Sequence, residues 1–438
     1  MKKPFGGLFK KKKEKALTAA SGRSAELSAV REEPTRPGRQ YDAKKVTPPD
    51  KYYVKLSAVS RFWRYVVTFT LLIFAVGMTF LFREEITAEN FGLLLRNVSF
   101  SFPGEKVEFT TVRYDADLKM DFAAYKEYFS VATTKSLRLY DHRGHIALDT
   151  ELNMTDPVLD AGQKYVMVYD REGHEYIVCN SISLLYSGKE SNPVYCADLC
   201  DEGSFLVVTM SSGYRSLIKV YNKGFNLQRE VPVDRHPLTA RLSPDGKTML
   251  FLSYATNDNG ALEGFVNLYD LTDKTSLICE NVYKSVPLYG SVTNEGAVVV
   301  FSEGVRFFDR MGRQRAFLSF EGKTPLRCDV KDDLLAVLFE EDSVTGEYTL
   351  MAFDLGQARL LRTVPYTGRI SGLFVCGDSV YLTEDEKTVI ISCVGDEKPE
   401  ICKQKKPLQI LGGENGTVFA CFENKAENIG KAEKNTGQ

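Results

Sequence analysis

The chain has 438 residues, and its 56 basic and 58 acidic side chains nearly cancel to a net charge of −2. The balance hides an asymmetry: residues 1–64 hold 17 basic against 6 acidic residues, leaving 39 basic against 52 acidic in the rest. No folded scaffold accompanies the positive charge, which excludes nucleic-acid binding as the reading of this tail.

Residues 1–64 show neither a helical nor a strand period and are rich in Lys, Arg, Ser, Ala and Pro. Such a segment buries too little apolar area to offset its ordering entropy, so a disordered, cytoplasmic basic tail is expected. Its start interleaves Phe5, Leu8 and Phe9 with lysines, a composition that suits weak attraction to an anionic leaflet or a charge signal that only fixes topology.

Residues 65–82 contain no charge, Pro, Asn or Gln. A helix of that length reaches about 27 Å at ~1.5 Å per residue, close to the ~30 Å hydrocarbon core of a bilayer. Trp63 and Tyr65 suit a headgroup level, and Arg61, Arg64 and Arg83 bracket the stretch. It is expected to be an uncleaved transmembrane helix. Residues 45–64 carry five basic side chains and 83–102 carry two, so the N-terminus stays in the cytoplasm and the C-terminal part crosses. Residues 83–105 form a linker, with a turn or two of helix after Thr87.

From 106 to 424 short β runs alternate with turns. Each unit has a Gly, Asp or Asn-rich turn followed at once by an apolar run: 160–162, 201–203, 243–246, 294–296, 331–333, 376–378 and 414–416. Asp-Gly and Asn-Gly pairs reach positive φ cheaply and so close tight hairpins. The spacings between the last turn residues are 41, 43, 50, 37, 45 and 38, which suits four short strands per propeller blade. An earlier unit has 128–132 as its apolar run. Third-strand runs at 136–141, 265–270, 304–309 and 349–354 end in an aromatic residue followed by Asp, at the exit from strand to turn. The expected fold is all-β: a propeller of about eight four-stranded blades, seven also fitting the spacing, after one N-terminal transmembrane helix. The last unit has two clear strands, 408–412 and 417–422. Residues 107–114 are expected to complete its sheet, because an unpaired edge is a liability. Residues 425–438 read as a disordered tail.

The order of basic tail, single span and propeller, with segments such as 220–226 and the turn at 242–247, resembles a bacterial, mainly Gram-positive, family of single-pass membrane proteins of unknown function. The 243–247 turn is also similar to those of TolB-like and WD-repeat propellers. The resemblance implies an extracytoplasmic propeller and brings no catalytic residues.

The search for chemistry is mostly negative. There is no G-x-S-x-G elbow, P-loop, H-E-x-x-H or EF-hand loop. Quinone-dependent propellers stack tryptophans between blades, and the only tryptophan here is Trp63. His142, His145 and Asp141 form a possible metal set, but Gly144 marks a hairpin turn where polar residues are expected anyway. Cys179, Cys196, Cys200, Cys279, Cys328, Cys376, Cys393, Cys402 and Cys421 are an odd number and mostly lie in or beside β runs, so few or no disulfides are expected. Asp198 and Asp329, both in expected first strands, are the carboxylates to test for a glycan-cleaving pair in a central channel. No residue is assigned as catalytic, cofactor-binding or metal-binding, and no cofactor is called for. The function expected is a membrane-anchored, extracytoplasmic module that binds a protein or cell-envelope ligand without catalysis. The alternatives are a transmembrane sensor of an external ligand and an enzyme acting on glycan or cell wall.

Overall fold

The structure is a computed structural model, and it describes residues 51–81, 111–126, 128–141, 144–272, 276–393, 399–413 and 416–431. Among the described residues there are one α-helix and eight four-stranded antiparallel sheets.

The helix runs Lys51–Leu81, so it begins 14 residues before the expected span and corrects the reading of 51–64 as disordered tail. No Gly or Pro falls in 51–64, and the nearest breakers are Pro48 and Pro49 just before the helix. Within it, Val59–Gly77 is long and apolar enough to cross a membrane, and none of that stretch is buried. Phe62, Trp63, Phe69 and Phe74 are all exposed on it. Phe82, the linker and the helical turn expected after Thr87 lie outside the described residues.

Each propeller blade is a consecutive run of four strands from the channel outward, except the last. The innermost strands of blades 1 to 8 are Met120–Tyr125, Pro157–Ala161, Val194–Leu199, His236–Leu242, Tyr289–Thr293, Pro325–Lys331, Gly372–Cys376 and Gln409–Gly412. Blade 8 takes Gln409–Gly412, Thr417–Cys421 and Lys425–Lys431 from the C-terminal end and Val112–Arg113 from the start of the domain. Val112 pairs with Ala426 and Arg113 with Lys425. Tyr114 fastens the joint by donating its hydroxyl to the carbonyls of Phe422 and Lys425 at 2.6 and 2.7 Å. Closure by residues from the domain start is therefore present, with 107–110 outside the described residues. The C-terminal boundary is corrected: Lys425–Lys431 is a strand in the middle of a sheet, not tail. Its sequence reads as polar because it packs only a few side chains, such as the fully buried Ala426.

The ring is held by eight apolar clusters, one at each seam between neighbouring blades. Second strands contribute to every cluster and are covered on both faces, which is why they read as unbroken apolar runs. The turn at 243–246 shows how the recurring signal works. Gly246 sits at φ 68°. Its N–H donates to the Ser243 carbonyl at 2.8 Å, and the Ser243 hydroxyl oxygen accepts from the Thr248 N–H at 3.0 Å. A Cβ at Gly246 would lie 2.9 Å from Cys200 Sγ of the preceding blade, so the glycine serves the seam as well as the turn. The aspartates at third-strand exits cap the following turns. Asp309 Oδ1 accepts from the N–H groups of Met311 and Arg313, both at 2.9 Å, and Asp354 Oδ1 from Gln357 at 3.0 Å.

Candidate functional site: the central channel

The innermost strands line the channel, and four of them carry an aspartate whose side chain reaches into the next blade. Asp121 Oδ2 accepts from Leu159 N–H at 2.9 Å, and Asp160 Oδ2 from Leu199 at 2.7 Å. Asp198 Oδ2 accepts from Leu242 at 2.6 Å, and Asp329 Oδ2 from Val375 at 2.7 Å. The other oxygen stays local in three of them: Asp121, Asp160 and Asp329 each accept from the N–H of the residue that follows, at 2.9 to 3.0 Å. In Asp198 it takes the Arg241 guanidinium at 2.6 Å. An innermost strand pairs on one side only, so its other edge presents N–H groups toward the channel. The aspartates satisfy those groups and tie blade 1 to 2, 2 to 3, 3 to 4 and 6 to 7.

The electrostatics follow from burial. Burial pushes the Asp160 carboxyl from 3.8 up to about 6, helped by the neighbouring Asp198 charge, with Arg241 opposing. Asp329 is likewise raised to about 6 by burial, and Asp121 is raised for the same reason. The Asp198 charge raises Arg241, which stays ionised. Burial also pushes the nearby Tyr289 hydroxyl and Cys196 thiol up to about 12.

A cavity of about 440 Å³ occupies the channel, with Phe122, Asp160, Asp329, Phe374 and Gln409 in its wall. Asp160 and Asp329 sit on blades 2 and 6, four places apart in a ring of eight. A second space of about 300 Å³ lies at the end where first strands turn into second strands, with Lys126, Gln163, Asp201, Lys331 and Thr417 in its lining.

The structure does not assemble Asp198 and Asp329 into a catalytic pair. Both are in innermost strands, as the sequence implied, but they lie on blades 3 and 6, and each already bonds backbone of the following blade. Sequence reading missed Asp121 and Asp160 as members of the same set. The signal was present: residues 121, 160 and 198 repeat at near-blade spacing, and aligning innermost strands instead of turns exposes them.

His145 is at an exposed turn, where its N–H donates to Asp141 Oδ1 at 2.8 Å, and His142 lies outside the described residues. Among the described residues no group of three or more His, Cys, Asp or Glu side chains is arranged to hold a metal ion. The nine cysteines are free thiols. Burial raises Cys179, Cys376 and Cys393 to about 12 and Cys421 well above its ordinary value.

Three solved structures are similar to the chain at low identity. Saccharomyces cerevisiae Sqt1 is 8% identical, with a TM-score of 0.49 over 72% of this chain and 96% of that one. Kluyvelomyces marxianus Hsv2 is 12% identical, with a TM-score of 0.45 over 68% and 100%. KlAtg21, solved in complex with the coiled-coil of AgAtg16, is 13% identical, with a TM-score of 0.43 over 57% and 85%. No curated protein matches the chain. Residues 100–430, which span the eight blades except for the last residue of the final strand, match the model of a family of unknown function, DUF5711, and the chain belongs to that family.

Proposed function

We propose that this protein is a membrane-anchored binding module whose propeller displays a non-catalytic interaction surface outside the cytoplasm. The observation that carries the non-catalytic reading is the use of the channel aspartates. Every oxygen of Asp121, Asp160, Asp198 and Asp329 accepts a bond from the fold itself. A general acid or nucleophile must reach its substrate's reacting atom, and a carboxylate holding two blades together is poorly placed to do so. Binding then falls to the loops on the two faces of the ring. Anchoring is supported by the bare apolar surface of Val59–Gly77, which water does not tolerate on a stable monomer. Orientation is supported by the five-to-two excess of basic residues before the span.

Protease added to intact wall-stripped cells tests the topology. Digestion of the propeller with survival of the N-terminal tail agrees with the proposal, and a protected propeller in intact cells, digested only after lysis, refutes it. The non-catalytic reading is tested by Asp160→Asn with Asp329→Asn in one chain. Binding of the native partner should persist wherever the variant is folded.

A further inference from the structure

The blades are not equally tall. The second strands of blades 4 and 6, Thr248–Thr256 and Leu334–Asp342, have nine residues each, whereas that of blade 5, Gly296–Val300, has five. The hairpins of blades 4 and 6 therefore rise about four residues, or ~13 Å at ~3.3 Å per residue, beyond that of blade 5. These extensions are paired ladder: Tyr254–Gly264, Ala255–Glu263 and Thr256–Leu262 in blade 4, and Glu340–Tyr348 and Asp342–Glu347 in blade 6. Blade 5 shares an apolar cluster with each of them, so it lies directly between two raised walls. The floor is braced. Ser285, in the link from blade 4, donates to Glu303 at 2.8 Å, and Arg306 beneath it stacks on Tyr283, Phe301 and Phe317.

The surface of this cleft is apolar and acidic together. Leu262 is 51% exposed on one wall, Val344 92% on the other, and Leu288 54% on the floor. The hairpin segments 253–264 and 339–348 carry Asp258, Glu263, Glu340, Glu341, Asp342 and Glu347, and not one Lys or Arg. Of these, Glu341 is paired with Lys323, Glu340 and Glu263 lie on the outer sides of their hairpins, and Asp258, Asp342 and Glu347 remain at the cleft, against one exposed basic residue, Lys284, in the floor link. Exposed aliphatic side chains flanked by unneutralised carboxylates complement a segment with the opposite pattern.

We infer that the cleft over blade 5 is the docking site of the binding module, and that its occupant is a partner-protein segment bearing apolar side chains flanked by Lys or Arg. This rests on the binding reading above and names the face and chemistry it uses. An extended segment would lie between the two hairpins with its apolar residues against Leu262, Leu288 and Val344 and its basic residues toward the acidic walls.

The test is site-directed photo-crosslinking of the full-length protein in the cells that make it. The probe amino acid is placed at Leu262, Leu288 or Val344 and, as controls on the opposite face, at Glu295 or Met311. The expected result is one protein crosslinked from all three cleft positions and from neither control. Its crosslinked peptide, read by mass spectrometry, should carry at least two basic residues beside an apolar one. Glu347→Lys should lower the yield at least tenfold, while Glu295→Lys, the same charge reversal on the other face, should leave it intact. Unchanged melting temperatures separate lost binding from lost fold. A crosslink to lipid, to a second copy of this chain, or to an acidic segment overturns the proposal. Crosslinks confined to Glu295 or Met311 overturn the cleft and leave the binding module standing. No protein crosslinked at any of the five positions overturns both.

Discussion

The seam between blades 2 and 3 and the seam between blades 7 and 8 do the same job with very different means. The first buries ten apolar residues, with the Phe205 and Tyr221 rings stacked 4.5 Å apart at 7°. Around them Glu190, only 7% exposed, binds Lys219 at 2.7 Å and lies within reach of the Tyr176 and Tyr221 hydroxyls. Asp160 adds its tie to Leu199. The seam between blades 7 and 8 buries four residues, Cys376, Tyr381, Ile410 and Val418, and among the described residues no innermost-strand aspartate crosses it. With roughly 1.5–3 kcal/mol for each large apolar side chain fully buried, the two seams differ by several such side chains. The comparison teaches that a closed ring need not be uniformly cohesive. Its weakest joint lies beside the blade assembled from both ends of the domain.

The largest effect is expected from breaking that composite blade. Removing residues 425–438 takes away Lys425–Lys431, bares the edge of Thr417–Cys421 and strips Val112 of its partner Ala426. Cooperative unfolding should disappear and the protein should aggregate, whereas removing 432–438 alone should leave the melting curve unchanged. Equal behaviour of the two deletions in a calorimeter would show that the ring closes without that strand.

The seams themselves are compared by truncating one side chain in each. Phe205→Ala should cost about 3–5 kcal/mol in denaturant unfolding, and Ile410→Ala about 2 kcal/mol, at the low end for a large aliphatic residue, because the smaller cluster has less to lose. A larger loss at Ile410 would invert the ranking. Next comes Asp198→Ala, expected to cost about 1–2 kcal/mol, because it leaves the Leu242 N–H and the part-exposed Arg241 guanidinium without their partner. Asp198→Asn should cost less, since an amide oxygen still accepts one bond.

The smallest effect concerns pH. The folded Asp329 carboxyl, at about 6, lies above its ordinary 3.8, so between those values the folded protein holds a proton that the unfolded chain has released. That contribution to stability is fully present below pH ~4 and is lost as pH rises through about 6. Asp329→Asn cannot titrate, so its melting temperature should fall less steeply than the parent's over this window. Parallel curves would mean that Asp329 ionises as an exposed carboxyl does.

Much of the fold was legible because propeller turns announce themselves locally. The Ser243 to Gly246 turn and the capping aspartates Asp309 and Asp354 act within a few residues of their own position, so their chemistry can be read from a short window. Asp121 and Asp160 were not legible as a site because each bonds a residue 38 or 39 positions away, and only the ring brings them together. The final strand was missed because a strand with few apolar residues resembles a tail until its partners are known. The extended helix was missed because 51–64 has enough charge to look solvated, although nothing in it stops a helix.

The sequence by itself determined that a series of four-stranded units, about eight, follows one apolar stretch, and that residues near 112 are needed to complete the last sheet. Those follow from periodicity, turn stereochemistry and the cost of an unpaired edge, all of which act over short stretches of chain. It even held the unequal spacings, 50 and 45 on either side of 37, without saying what they meant. Only the tertiary structure turned those extra residues into two walls flanking a low blade, and turned scattered carboxylates into ties between neighbours. Both depend on which elements stand side by side once the ring has closed, and that adjacency is set by packing rather than by any local pattern.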